Sequence, residues 1–366
     1  VNTLHEEFFS DGRKQINLFI VGVGTVGSKL IGQLSQQNEY LLENMRLNVR
    51  VVGLANSKRL FFDEEGIKLT DWKERLSSNN LDSPKSAETA DVIVEKNLRN
   101  SIFVDVTADP AVVEMYPQLL RKSVSVIACN KIACSSDYEK YLNLKNLARE
   151  YNANFLFETN VGAGLPVINT LNDLMRSGDR VNRIEAVLSG TLNFVFNNYD
   201  GTRKFADVVR QAQAEGYTEP DPRLDLSGTD VARKILILAR EAGYKLELSD
   251  IENTSFLPES CTKGSVEDFY NEMGKHETHF RKLLDDADAH GLKLKYIASF
   301  DNGRAAVGLQ SIGPDHNFAN LSGKDNAVLF YTNRYSEQPL VIKGAGAGAD
   351  VTAAGVFADI IRAARS

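Results

Sequence analysis

A strand-like apolar run, Ile16 to Val23, feeds directly into Gly22-Val23-Gly24-Thr25-Val26-Gly27 and then into residues at helical spacing. Val26, Leu30, Ile31 and Leu34 recur along Thr25 to Gln37 as one face of an amphipathic helix. Glycine at the first two positions permits a tight turn and lets the backbone approach a pyrophosphate. The third lets helix and strand pack closely, and the helix N-terminus offers N–H donors and positive potential to phosphates. The pattern alone is weak; its strand–turn–helix setting makes it a dinucleotide site rather than a mere turn. Gly22, Gly24, Thr25, Val26 and Gly27 are therefore cofactor candidates.

The alternation continues. Strands are expected at Leu47 to Ala55, Ile102 to Thr107 and Val124 to Cys129, with helices at Pro110 to Lys122 and Tyr138 to Tyr151. Such β-α-β alternation implies an α/β fold with a Rossmann-type parallel sheet. Residues 56–100 are polar and show no clear elements. After the second strand the chain reads Ala55-Asn56-Ser57-Lys58-Arg59. An acid here usually holds the ribose 2′-OH; two cations and two hydrogen-bonding side chains suit a 2′-phosphate instead. Asn56, Ser57 and Lys58 point to NADP(H), with NAD(H) left open. The competing reading is a solvated basic loop.

The second half reads as an α+β substrate domain. A strand at Asn154 to Glu158 leads into a helix from Gly164 to Met175, then a strand at Val181 to Ser189 and helices at Phe205 to Glu215 and Gly228 to Ala242. β-prone runs follow at Leu294 to Phe300, Ala305 to Gln310, Ala327 to Tyr331 and Leu340 to Ile342. Gly344 to Gly348 and a helix from Val351 to Ala364 close the chain. The expected division is a linker at 1–14, a dinucleotide-binding domain at 15–154, a substrate and dimerisation domain at 155–340, and a C-terminal segment at 341–366 that returns to the first domain. The start at Val1 and the polar residues after it read as an inherited linker from a longer protein.

Of the 366 residues 43% are hydrophobic, enough for a substantial core, and the net charge of -7 argues against nucleic acid or membrane as main partner. No apolar run approaches the ~20 residues of a membrane span. Cys129, Cys134 and Cys261 make neither a disulfide framework nor a zinc motif, which suits a reducing cytoplasm. His5, His276, His279, His290 and His316 fall outside every motif. His276 and His279 read as a solvated helix face rather than metal ligands.

The densest polar stretch is G-Y-T-E-P-D-P-R-L-D-L-S-G-T-D-V-A-R-K at 216–234. Two prolines are expected to keep 219–222 extended, with a helix starting near Ser227 as N-cap. Asp230 and Lys234 then share one helix face at i and i+4. A surface salt bridge is the plain reading of that spacing. Glu219, Asp221 and Asp225 converge just upstream, which instead suits an amino-acid substrate. Acids would take its ammonium, and the lysine an oxygen that changes protonation. A free lysine titrates near 10.4, so efficient proton transfer requires its environment to bring that down.

This run resembles the signature of homoserine dehydrogenases. Further family-like motifs are G-V-G-T-V-G at 22–27, N-S-K at 56–58, V-D-V-T at 104–107, Asn130-Lys131, E-T-N-V-G-A-G-L-P at 158–166, S-G-T-L-N at 189–193 and G-A-G-A-G-A-D-V-T-A-A-G-V-F-A-D at 344–359. They cover nearly the whole chain and are most similar to the dehydrogenase half of bifunctional aspartokinase–homoserine dehydrogenases. The resemblance implies NAD(P)-dependent interconversion of L-homoserine and L-aspartate 4-semialdehyde. It implies that Lys234 and Lys131 serve the reacting oxygen, Lys234 as general acid in reduction, with Lys131 where the two domains meet. Asp230 would support this chemistry; Glu219 and Asp225 would hold substrate; Gly190, Thr191 and Tyr217 would line its pocket. Thr107 and the Gly344–Gly348 backbone, Gly346 included, would border the nicotinamide.

The resemblance also implies a monovalent cation, typically sodium, on the Glu158 side chain and the backbone carbonyls of Val161, Ala163 and Leu165. A glycine-rich helix entry without an ion is the alternative. It implies a homodimer and an upstream aspartokinase. One departure stands out: Leu224 follows Arg223 where the family usually has the first of two acids. Two rival functions remain. An aspartate-semialdehyde dehydrogenase would need a nucleophilic cysteine. A catalytically inactive NADP-binding module would need no chemistry at all.

Overall fold

The computed structural model describes residues 12–78 and 86–366. Most of the 1–14 linker and His5 lie outside the described residues. The chain divides into two compact units: residues up to Asn160 with Gly348–Ser366, and Val161–Ala347.

In the first unit, β1 (Lys14–Val21), β2 (Leu47–Ala55), β3 (Leu60–Phe62), β4 (Ser101–Asp105), β5 (Ser125–Ala128) and β6 (Phe155–Leu156) form one sheet in the order β3-β2-β1-β4-β5-β6. All neighbours are parallel except the edge strand β3, which turns back antiparallel on β2. Strand order reverses direction at β1, between β2 and β4, where open α/β sheets bind their ligands. Both faces of β1 and β4 are covered: Ile16, Leu18 and Ile20 are buried on one face and Asn17 and Phe19 on the other, as are Ile102 and Val104 opposite Phe103. Helix α1 (Thr25–Asn44) lays Leu30, Ile31, Leu34 and Leu41 on this sheet. The C-terminal helix Ala349–Arg365 packs beside α1 through Ala353, Val356 and Ile360, and Lys29 meets Asp350 at 3.1 Å.

The helix expected over 110–122 is two short ones, Pro110–Val113 and Tyr116–Leu120. Pro117 has no N–H for the Val113 carbonyl, so one helix cannot run through. The polar region after β2 holds β3 and the helices Trp72–Ser78 and Ser86–Lys96.

In the second unit a mixed sheet has the order β12-β11-β7-β9-β10-β8. Its strands are β7 (Val181–Val187), β8 (Ile251–Thr254), β9 (Lys293–Asp301), β10 (Arg304–Ile312), β11 (Asp325–Thr332) and β12 (Leu340–Ala345). All pairs are antiparallel except β8 with β10. Helices α2 (Gly190–Asn198) and α3 (Thr229–Glu241) carry Gly190, Thr191, Asp230 and Lys234. Val187, Ile297, Ala327 and Leu329 of the sheet form a cluster with Phe318 and Leu321 of the 313–324 segment. The expected strand to Ser189 stops at Val187, because the Ser189 hydroxyl accepts from Leu192 N (3.1 Å) and opens α2.

Candidate active site

The carboxyl ends of the parallel strands bring the first group of candidates to one edge. Gly22 has φ +97°, and a Cβ there would lie 2.6 Å from the Val106 carbonyl oxygen and 2.8 Å from Thr107 Cγ2. A Cβ on Gly27 would stand 2.0 Å from the Gly22 oxygen. Both glycines are therefore demanded by the protein's own packing. Gly24 is different: a Cβ there would meet nothing within 4 Å. The interior leaves that position open, as a turn that receives a pyrophosphate requires. Thr25 and Val26 start α1, whose first turn carries no acid to cancel its positive end.

Beside this turn lies an open groove of about 540 Å³ lined by Val23, Ser28, Asn56, Lys58, Arg59, Trp72 and Lys73, among others. The Asn56 Oδ1 accepts from the backbone N–H groups of Lys58 and Arg59, both at 2.8 Å, which fixes the bend after β2. Three cations thus border one groove. Ser57 is exposed but is not among the lining residues.

Asp105 at the end of β4 is fully buried. It accepts from Thr107 N (2.7 Å), Tyr116 Oη (2.6 Å) and Asn130 Nδ2 (3.1 Å). Burial pushes its pKa up against these hydrogen bonds. The residue ties the ends of β4 and β5 together and so positions both Thr107 and the Asn130-Lys131 pair. Its role was not read from the sequence, although V-D-V-T contains it; an acid at a strand end next to a threonine was the available signal.

The second unit assembles the other group. Lys234 is buried on α3. Its Nζ donates to the Leu188 carbonyl at 2.6 Å and pairs with Asp230 Oδ2 at 2.8 Å. The bridge is buried at one end only: the lysine side chain is 11% exposed and that of Asp230 47%. The Thr191 hydroxyl lies within hydrogen-bonding distance of both the Tyr217 carbonyl and Asp225 Oδ1 (3.2 Å) and has one proton to share between them, while Glu219 N donates to Asp225 Oδ2 (2.8 Å). Tyr217 packs on Phe194 of α2, ring centroids 4.8 Å apart. Burial first, then the charges of Glu219 and Asp230, raise the Asp225 pKa.

Three local expectations change here. Pro222 is helical (φ -60°, ψ -18°) and opens the short helix Arg223–Leu226. A proline restricts the residue before it, so 219 and 221 carry the constraint rather than 222. Asp221 leaves the acid cluster: Arg223 binds it at 2.6 Å and holds its carboxyl below the usual range. The N-cap of α3 is Gly228, not Ser227, with φ +72°. A Cβ at 228 would stand 1.9 Å from the Tyr296 hydroxyl, so only glycine makes this turn.

Known proteins bear directly on this arrangement. A family model described as the NAD binding domain of homoserine dehydrogenase matches residues 22–158, and one described as homoserine dehydrogenase matches residues 166–361. A homoserine dehydrogenase of Schizosaccharomyces pombe is 36% identical over 367 residues, covering 96% of this chain and 96% of that protein. This chain belongs to the homoserine dehydrogenase family. The glycine turn falls within the residues matched by the NAD binding domain. A chloroplastic bifunctional aspartokinase/homoserine dehydrogenase of Zea mays is 43% identical over 370 residues, covering 98% of this chain and 40% of that protein. The chain thus spans about 40% of the length of such bifunctional relatives. The solved structure of a hyperthermophilic archaeal homoserine dehydrogenase in complex with NADPH matches with a TM-score of 0.73 at 26% identity, covering 95% of this chain and 97% of that one.

Against the homoserine dehydrogenase pattern, Leu224 is 61% exposed, so the missing acid empties no buried contact. Glu158 is buried in the first unit, where its N–H donates to Asp359 Oδ2 (2.9 Å) and its carboxylate lies 4.0 Å from Arg362. Val161, Ala163 and Leu165 belong to the second unit, and Ala163 has φ +53°. The Gly346 position packs on buried Asn326, where a Cβ would be 2.0 Å from the amide carbon. Among the described residues no three His, Cys, Asp or Glu side chains cluster as metal ligands, and no helix is long and apolar enough to cross a membrane. His276 Nε2 bonds Ser260 Oγ (2.8 Å) and His279 Nε2 bonds the Phe256 carbonyl (2.9 Å).

Proposed function

We propose that this chain interconverts L-aspartate 4-semialdehyde and L-homoserine with NADP(H), a step of threonine, methionine and isoleucine biosynthesis. The observation that carries the reading is the buried Lys234, paired with the half-exposed Asp230, beside Asp225 and Glu219. It combines a proton-transfer group with acids suited to an ammonium. In reduction, Lys234 gives a proton to the aldehyde oxygen; in oxidation it takes one from the hydroxyl. The Leu188 carbonyl and Asp230 hold its Nζ in place. Asp225 and Glu219 take the substrate ammonium, and Gly190, Thr191 and Tyr217 wall the pocket. Lys131 is assigned as a second lysine for the reacting oxygen, with Thr107 and Gly346 bordering the nicotinamide. The nicotinamide, when bound, supplies the hydride donor or acceptor.

The residues present fit the dinucleotide. Open space at Gly24 and the acid-free start of α1 suit its pyrophosphate. The groove bordered by Lys58, Arg59 and Lys73 favours a 2′-phosphate, hence NADP(H) over NAD(H). A monovalent cation at Glu158, Val161, Ala163 and Leu165 rests on the hard oxygen donors these positions offer; Arg362 beside Glu158 is the competing counter-charge. A homodimer through the second sheet draws support from the edge strand β12, where Val341 is 48% exposed. Fusion to an aspartokinase and a cytoplasmic site are further proposals; the maize relative is chloroplastic by name.

A thioester mechanism is disfavoured, because burial pushes the Cys129 and Cys261 thiols up, away from the thiolate. Initial rates at 340 nm with L-homoserine and either NADP+ or NAD+ test the proposal. Turnover with a lower KM for NADP+ is expected. Folded protein that gives no signal with either cofactor would point to the inactive module.

A further inference from the structure

The substrate-unit cluster as described is unbalanced. Glu219, Asp225 and Asp230 are acids, and Lys234 is already engaged by Asp230 and Leu188. An amino-acid substrate brings a carboxylate as well as an ammonium. Arg223 does not answer it, being turned onto Asp221 and the Gly264 carbonyl. One further cation reaches the same walls. The Nζ of Lys324 stands 5.0 Å from the centre of the Tyr217 ring. Its backbone oxygen and Cβ lie 3.1 and 3.3 Å from where a Cβ on Gly190 would be. Through Tyr217 and Thr191 it neighbours Asp225.

The backbone that presents Lys324 is held from inside. Lys295 on β9 is 1% exposed, and its Nζ donates to Asn193 Oδ1 (3.1 Å), Asn197 Oδ1 (2.5 Å) and the Leu321 carbonyl (2.8 Å). The two asparagines, both on α2, return their amide N–H groups to the same loop. Asn193 donates to the carbonyls of Gly323 (3.1 Å) and Asp325 (3.3 Å), and Asn197 to that of Leu321 (3.1 Å). The residues on both sides of Lys324 are thus pinned to the helix whose first turn contains Gly190 and Thr191. A loop needing only solubility would not require a buried ammonium and the buried Asn193 amide to fix it, with the exposed Asn197 amide closing the network.

We propose that Lys324 binds the α-carboxylate of the substrate, with the Lys295–Asn193–Asn197 network setting its position. Acids on one side and this lysine on the other would read both charges of an α-amino acid. The inference rests on the reaction proposed above and adds the residue that selects the carboxylate.

The test compares wild type, Lys324→Met and Lys324→Arg at saturating NADP+, with L-homoserine and with L-homoserinamide as alternative substrate or competitive inhibitor. For Lys324→Met the KM for L-homoserine should rise about 10-fold or more with kcat within about twofold, as expected for loss of a charged hydrogen bond made equally in ground and transition states. The arginine variant should recover most of the loss. Apparent affinity for the uncharged amide should be the same in Lys324→Met as in wild type. An unchanged KM for L-homoserine, or an equal loss for acid and amide, overturns the assignment. Absence of wild-type turnover with L-homoserine overturns the reaction itself and this assignment with it. In an active enzyme the KM values decide Lys324 alone.

Discussion

Lys234 and Asp225 show how environment turns ordinary residues into a site. Lys234 lies on a helix face that could equally carry a solvated bridge; burial against the Leu188 carbonyl separates the two outcomes. Lys234→Ala should lower kcat for homoserine oxidation by roughly 10²–10⁴-fold, the usual worth of a general acid–base group, with the KM for NADP+ unchanged. Turnover near wild type would remove it from the mechanism. In its proposed role Asp225 would bind the substrate ammonium only when ionised, and burial raises its pKa. The KM for homoserine should therefore climb on acidification well before an ordinary aspartate, near 3.9, would protonate. Asp225→Asn should start from a high KM and show a flatter pH profile. The same shift costs stability. The folded state keeps this proton to higher pH than the unfolded chain, so its contribution is present at low pH and lost as pH rises through the raised pKa. None of this was visible in the run of acids at 219–230. Local spacing predicted a cluster, but Asp221 went to Arg223, while Asp225 stayed beside Glu219 and Asp230.

At the scale of elements, helices and strands with strong periodicity were legible. The second strand was expected at Leu47 to Ala55 and lies there, and α1 begins at Thr25. Helix α2 was not read, because Thr-Leu-Asn-Phe-Val-Phe looks β-prone, and only the Ser189 cap with tertiary packing makes it helical. Its role depends on Lys295, whose pKa burial brings down to about 8, with Lys293 and Lys343 adding repulsion. An unfolded lysine keeps its proton to about 10.4. Between those values the unfolded state binds more protons, so this residue's contribution to stability improves as pH rises from 8 towards 10.4. Urea unfolding of wild type and Lys295→Met across pH 7 to 10.5 should show wild type gaining on the variant through that window. Parallel curves would mean that the charge is not buried as described.

For the whole molecule, the division of labour between the two units makes its own prediction. The groove with Lys58 and Arg59 belongs to the first unit, and the acid–lysine cluster to the second. Lys58→Ala should raise the KM for NADP+ about 10-fold, the scale of one charged hydrogen bond, while leaving those for NAD+ and homoserine near wild type. A matching rise for NAD+ would show that Lys58 does not read the 2′-phosphate. The sequence alone determined the dinucleotide turn, the α/β alternation of the first unit and the family motif at 216–234. Each is carried by residues close in the chain, where glycine conformation, apolar period and i,i+4 spacing act locally. Tertiary structure decided the rest. Packing against Tyr296 made Gly228 the N-cap, Asp105 joined two strand ends 25 residues apart, and Lys73 came to the groove from an unread helix. The loop at 321–325 was tied to α2 across more than a hundred residues. Such contacts depend on burial and on which distant groups meet, and a local pattern in the sequence carries neither.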